Sequence, residues 1–232
     1  LALQQEGAKV GLLDADVYGP SQPTMLGITD KPYSVDGKTL EPMVAHGLQV
    51  ASVGVLIDPD QPMIWRGPLA VSALQQLLKQ TNWKDLDYLI VDMPPGTGDI
   101  QLSLSQEVPL TGAVVVTTPQ DIALMDARKG LVMFEKVNVP ILGIIENMAT
   151  HILGEGGAAK MAAQYGVELS GELPLDINIR LSMDKGEPIV ISDPDSKVAQ
   201  AYREIARKLA VAVSKKNKDY SAKMPSIKVS DT

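Results

Sequence analysis

Three aspartates sit where this chain could do phosphate chemistry. Asp92 ends the apolar run "DYLIVD", and the turn that follows, "MPPGTGD", packs two prolines and two glycines into six residues. Asp14 ends a second apolar run, "AKVGLLD", and Asp16 follows two residues on. A carboxylate at the carboxyl end of a buried strand can hold hydrated Mg²⁺, which takes a few carboxylates together with waters and substrate phosphates. If the strand continues past Asp14, Asp16 points the same way. One acid could then hold the Mg²⁺ shell while the other orients an attacking water. Pro94 and Pro95 fix φ and offer no N–H. Gly96 and Gly98 lack side chains, so backbone amides in that turn can approach a phosphate. The competing reading is ordinary: strand-end acids cap turns, and Thr97 or Asp99 N-caps the next helix.

These acids need a frame. Strand signals fall at 8–14, 47–54, 87–93, 112–118, 140–147 and 167–174, with "GAVVVTT" read as buried on both faces. Helical patterns lie between them at 68–80, 119–137, 156–166 and 195–216. Thr118, Pro119 and Asp121 fit an N-cap, a first-turn proline and a capping acid, and Gly130 interrupts or bends the helix that follows. "LALQQEG" reads as the last turns of a helix ended by Gly7. Alternating strands and helices predict an α/β fold with a doubly wound, mostly parallel sheet. Residues 1–216 are expected to form one domain, with 18–46 as an excursion from it and 217–232 as a loose polar tail.

Composition narrows the chemistry. Hydrophobic residues make up 45% of the 232 and aromatics 4%, so the core must be aliphatic, as parallel sheets favour. A net charge of −7 argues against a broad nucleic-acid surface or a polybasic membrane patch. There are no cysteines, hence no disulfide and no thiolate metal site, and only two histidines, His46 and His151, far apart. No apolar run reaches membrane-spanning length, and the first residues lack signal-peptide features, so a cytoplasmic protein is the expectation. "GEGG" (154–157) reads as a loop into a helix. Arg66 reads as a surface arginine at a helix start, Trp65 and Met63 as core packing, and the Lys/Arg of 203–218 as a solvated helix face.

Taken together, "GLLDADVYGPS", "MIWRGP", "DYLIVDMPPGTGDIQL", "VVVTTPQDIALMDARKG" and "GIIENM" resemble the Mrp-type iron–sulfur cluster carriers, in the MinD/ParA-like branch of P-loop ATPases. The likeness runs in order over nearly the whole chain. It implies a P-loop NTPase fold with a deviant Walker A loop. It assigns Asp14 and Asp16 to Mg²⁺ and water activation, Asp92 to the Walker-B-like acid, and Gly96 to the turn that senses the γ-phosphate. Asn147 would read the adenine edge, and Pro174 and Asp176 would belong to the loop over the base. Family members are ATP-binding homodimers that hold a labile [4Fe–4S] cluster and pass it to apo iron–sulfur proteins, with slow ATP hydrolysis.

The chain departs from the pattern twice. The lysine-bearing phosphate loop would precede "LALQQEG", and the strand before it is normally central in the sheet. The family's CxxC would lie between "ENM" and "GEGG", where this chain runs directly through His151 to Leu153. Both absences fall where mobile loops lie in such folds, and the natural protein is expected to carry both segments. Ordinary Cα steps of about 3.8 Å throughout 150–155 would mean that the second is deleted. Two other functions stay open at this level. One is a ParA/MinD-type positioning ATPase that binds DNA or membrane, against which the acidic total and polar tail count. The other is a nucleotide-independent scaffold.

Overall fold

The computed structural model describes residues 1–56 and 67–216; Met63, Trp65, Arg66 and the tail 217–232 lie outside them. The elements run α1 (Ala2–Gln5), β1 (Val10–Asp14), α2 (Gln22–Met25), β2 (Met43–Ala45), β3 (Leu48–Ser52), α3 (Gly67–Gln80), β4 (Tyr88–Asp92) and α4 (Asp99–Glu107). Then come β5 (Ala113–Thr117), α5 (Asp121–Lys136), β6 (Ile141–Ala149), α6 (Gly157–Tyr165), β7 (Leu169–Pro174), α7 (Ile177–Asp184), α8 (Ile189–Ser192) and α9 (Lys197–Ser214). A short 3-10 turn, Val53–Leu56, follows β3.

Among the described residues the strands pair as two mostly parallel sheets within the expected α/β fold. The first has the order β2-β3-β1-β4 and the second β5-β6-β7. All pairs are parallel except β2 on β3. β4 and β5, which a single sheet would bury, therefore each end a sheet, and no described residue pairs with their free edges. Ile90 on β4 is 43% exposed and Val116 on β5 is 59% exposed. The reading of β5 as buried on both faces is corrected: Ala113, Val115 and Thr117 are buried on one face, while Val116 stands open on the other.

Each sheet has its own aliphatic core. Leu13, Ala51, Val53, Leu74, Leu77, Ile100 and Leu104 pack β1 and β3 against α3 and α4. Val115, Leu124, Leu131, Ile144, Ala158, Met161 and Ala162 pack β5 and β6 against α5 and α6. The halves are tied by α9, whose start is capped by Ser196 Oγ accepting from Ala199 N (3.1 Å), an interaction worth ~1 kcal/mol. Arg207 of α9 reaches Glu6, just past α1, at 2.8 Å. A second tie lies at Gly27 and Gly186, which touch backbone to backbone. A Cβ on Gly186 would stand 2.5 Å from Gly27 Cα.

Two local expectations change. α5 starts at Asp121 with Gln120 rather than Thr118 as its N-cap, and Gln120 makes no side-chain cap bond; Thr118 Oγ1 instead donates to Gln120 Oε1 (2.8 Å). Gly130 does not interrupt this helix, because nothing crowds it and Leu131 beside it is buried. Among the described residues no helix is long and apolar enough to cross a membrane.

Candidate functional site

β1 is flanked by β3 and β4, all parallel, so their carboxyl ends emerge together. The register places Asp14 directly beside Ser52 on one side and Asp92 on the other. Three oxygen-bearing side chains thus stand in a row on one rim, where open α/β sheets bind ligands. Asp14 is 0% exposed. Its Oδ2 accepts from Ser52 Oγ (2.9 Å) and Gln22 N (3.3 Å), and its Oδ1 accepts from Asp16 N (3.3 Å). Ser52 Oγ is itself held by Gly54 N (3.0 Å). Burial pushes the Asp14 carboxyl above its ordinary value; the three donors oppose this, and the like charge of Asp92 adds to it.

Asp92 is partly exposed, and its Oδ2 accepts from Gln22 Nε2 at 2.7 Å. Residue 22 therefore touches both acids, through its amide nitrogen and through its side chain. Asp16 is placed differently from Asp14. β1 ends at Asp14, and Asp16 Oδ1 accepts from Tyr18 N (2.9 Å) and Gly19 N (3.2 Å), shaping the turn. Gly96 lies in the exposed turn after β4 at φ 99°, a conformation that favours glycine. Gln101, buried in the first turn of α4, pins that turn from below by donating to Pro95 O (2.5 Å) and Pro94 O (3.4 Å). Neither Thr97 nor Asp99 caps α4, whose N-cap is Gly98.

The other candidates gather on the second sheet. β6 pairs with β7 up to Ala149 and Pro174, and Leu175 N donates to Ala149 O (3.2 Å). This brings Asn147 near Pro174 and Asp176. Asn147 Oδ1 accepts from its neighbour Met148 N (3.0 Å), and Asp176 N-caps α7 through Asn178 N (2.8 Å). Beside them Glu146, 0% exposed, accepts from Gly156 N (2.9 Å) and Ala158 N (2.7 Å). The β6–α6 connection closes as a turn, with Gly154 N donating to Thr150 O (2.8 Å) and Thr150 N to Gly154 O (3.2 Å). The chain makes this connection without the cysteine-bearing segment.

Register thus pairs Asp14 with Asp92, with Asp16 and Gly96 following in sequence, and sets Asn147, Pro174 and Asp176 at or just past the carboxyl ends of the paired β6 and β7. Sequence reasoning passed over Ser52, Gln22 and Gln101. Only the place of Ser52 at a strand's carboxyl end could have flagged one of them.

The donor set decides which inorganic groups fit. Two adjacent carboxylates and a hydroxyl are hard oxygen donors, which suit Mg²⁺ with its waters kept. No cluster of three or more His, Cys, Asp or Glu occurs among the described residues, so a metal held by protein ligands alone does not fit. An iron–sulfur cluster needs thiolates, and these 232 residues contain none.

Comparison with known proteins places the chain in a family. An iron–sulfur cluster carrier protein of Salmonella typhimurium is 57% identical over 221 residues, taking in 90% of this chain and 60% of that protein. The chain thus spans about 60% of the length of such relatives. The iron–sulfur cluster transfer protein NUBPL of Mus musculus is 47% identical over 216 residues, with 89% and 68% covered. Among solved structures, a nucleotide-binding protein of Archaeoglobus fulgidus in complex with ADP superposes with a TM-score of 0.70 at 32% identity, over 84% of this chain and 80% of that one. The cell-division ATPase MinD of Pyrococcus furiosus, at 22% identity and a TM-score of 0.70 over 90% and 89%, shows the same fold. The family described as ParA, NUBPL iron-transfer P-loop NTPase matches residues 1–210, and the chain belongs to that family.

Proposed function

We propose that this chain is the nucleotide-handling part of an ATP-dependent iron–sulfur cluster carrier. It works as a cytoplasmic homodimer that passes a [4Fe–4S] cluster to apo iron–sulfur proteins and hydrolyses ATP slowly. One observation carries the reading: Asp14 and Asp92 are register partners on adjacent parallel strands, at one rim, bridged by one residue. Mg²⁺, when bound with the nucleotide, supplies charge neutralisation at the phosphates. Asp92 and Asp14 would hold it through its waters. Asp16 would orient the attacking water, and the amides around Gly96 would meet the terminal phosphate. On the other rim Asn147 reads the adenine edge, with Pro174 and Asp176 beside the base.

The cluster is cargo, and its ligands come from outside these 232 residues, since the chain offers no thiolate. The names of the relatives support the carrier role, and the net charge of −7 disfavours the DNA- or membrane-binding alternative. The test is anaerobic cluster reconstitution of the full-length protein with and without ATP, followed by mixing with an apo-[4Fe–4S] protein. Cluster uptake and delivery are expected, with ATP dependence lost in Asp92→Asn. Absence of uptake, together with salt-sensitive retention on DNA or sedimentation with liposomes, would replace this reading by a positioning ATPase.

A further inference from the structure

We infer that Gln22 is a removable cover on the acid pair and sets how tightly the rim takes a divalent cation; the inference rests on the reading of Asp14 and Asp92 as the Mg²⁺ acids. Gln22 Nε2 donates to Asp92 Oδ2 at 2.7 Å, and Gln22 N donates to Asp14 Oδ2 at 3.3 Å. An amide N–H on a carboxylate oxygen occupies the same kind of position as an O–H of a metal-bound water. The side chain therefore partners one of the two Asp92 oxygens. A hydrated cation that draws on Oδ2 competes with that bond.

The arrangement suits displacement. Asp14 is buried and keeps donors from Ser52 Oγ and the Asp16 amide whatever the Gln22 side chain does. Asp92 is partly exposed, and Gln22 Nε2 is its one side-chain donor among the described contacts. Gln22 is also only partly buried, so rotation about its side-chain bonds clears the oxygen without unfolding α2. The backbone behind it is fixed. Leu26 is buried, and Gly27 abuts Gly186 near α7. The cover thus moves as a side chain, while the amide that holds Asp14 stays.

The experiment measures Mn²⁺ affinity by electron paramagnetic resonance on the full-length protein with ATP, for wild type, Gln22→Met and Gln22→Ala. Both variants keep the residue-22 amide and remove the competing donor. A charge-assisted hydrogen bond no longer surrendered is expected to tighten Mn²⁺ binding about tenfold in Gln22→Met. Thermal unfolding checks that each variant is folded, and Gln22→Ala decides if Gln22→Met is not. An affinity within twofold of wild type, or weaker, overturns the cover while leaving the acid pair standing. No protein-bound Mn²⁺ in wild type or variant overturns the cover and the proposed Mg²⁺ site together.

Discussion

The two sheets end in rims that each hold a buried carboxylate, and the two carboxylates are used in opposite ways. Asp14 closes β1 and Glu146 follows the apolar run of β6, three residues before that strand ends, and both are 0% exposed. Glu146 spends its two oxygens on the backbone amides of Gly156 and Ala158, which start α6. Its charge is absorbed by groups that cannot leave without unwinding a helix. Asp14 is held by a hydroxyl and two backbone amides, and its neighbour Asp92 by a single side chain that can swing away. The difference teaches that an acid at a strand end is not a ligand site by position alone. What matters is whether its donors are replaceable.

Removing Glu146 should have the largest effect. Glu146→Ala leaves one buried and one part-buried backbone N–H without partners, costing ~1–3 kcal/mol each at most, so a loss of about 3 kcal/mol is expected in urea unfolding. A loss below about 1 kcal/mol would mean that Glu146 is not structural, and the contrast between the rims would fail. Ser52→Ala takes one donor from the buried Asp14 carboxylate. A loss of about 2 kcal/mol is expected, again by urea unfolding, and no loss would show that Asp14 does not depend on the hydroxyl. Gln101→Ala frees the Pro94 and Pro95 carbonyls and should cost about 1 kcal/mol. Faster amide exchange at Gly96 and Thr97 should accompany it, and unchanged exchange would detach Gln101 from the turn.

The smallest effect is electrostatic. With its folded value raised by burial and by Asp92, Asp14 binds its proton more tightly in the folded chain than in the unfolded one. Its contribution to stability is therefore full below about 3.8 and is lost as pH rises through the folded value. Titration of the side-chain carboxyl carbon should give a midpoint above 3.8. A midpoint at or below it would contradict the burial argument.

Much of the frame was legible in the sequence. β1, β4, β5 and β6 announce themselves as aliphatic runs, and Asp14 and Asp92 as acids closing two of them. α4 did not, because Ile100, Leu102 and Leu104 alternate with polar residues as in a strand; only packing shows Ile100 and Leu104, four apart, facing one core. The pairing order within each sheet was hidden because strand order is not written in any one segment. Ser52, Gln22 and Gln101 were hidden for a related reason. Ser52 meets an acid 38 residues away and Gln22 one 70 residues away, and it is tertiary register, not local pattern, that brings them together. Asp16 and Asp176 looked like site residues by resemblance. Each also does local work, in a turn and at a helix start, that any soluble protein would ask of an aspartate.

Asp14 and Asp92 should share one hydrated cation, with Glu146 taking none. The direct measurement follows the side-chain carboxyl carbons of all three as Mg²⁺ is added to the full-length protein in the presence of ATP. Shifts at Asp14 and Asp92 that saturate together, with Glu146 unmoved, are the predicted result. Unmoved aspartates, or an equal response at Glu146, would contradict it.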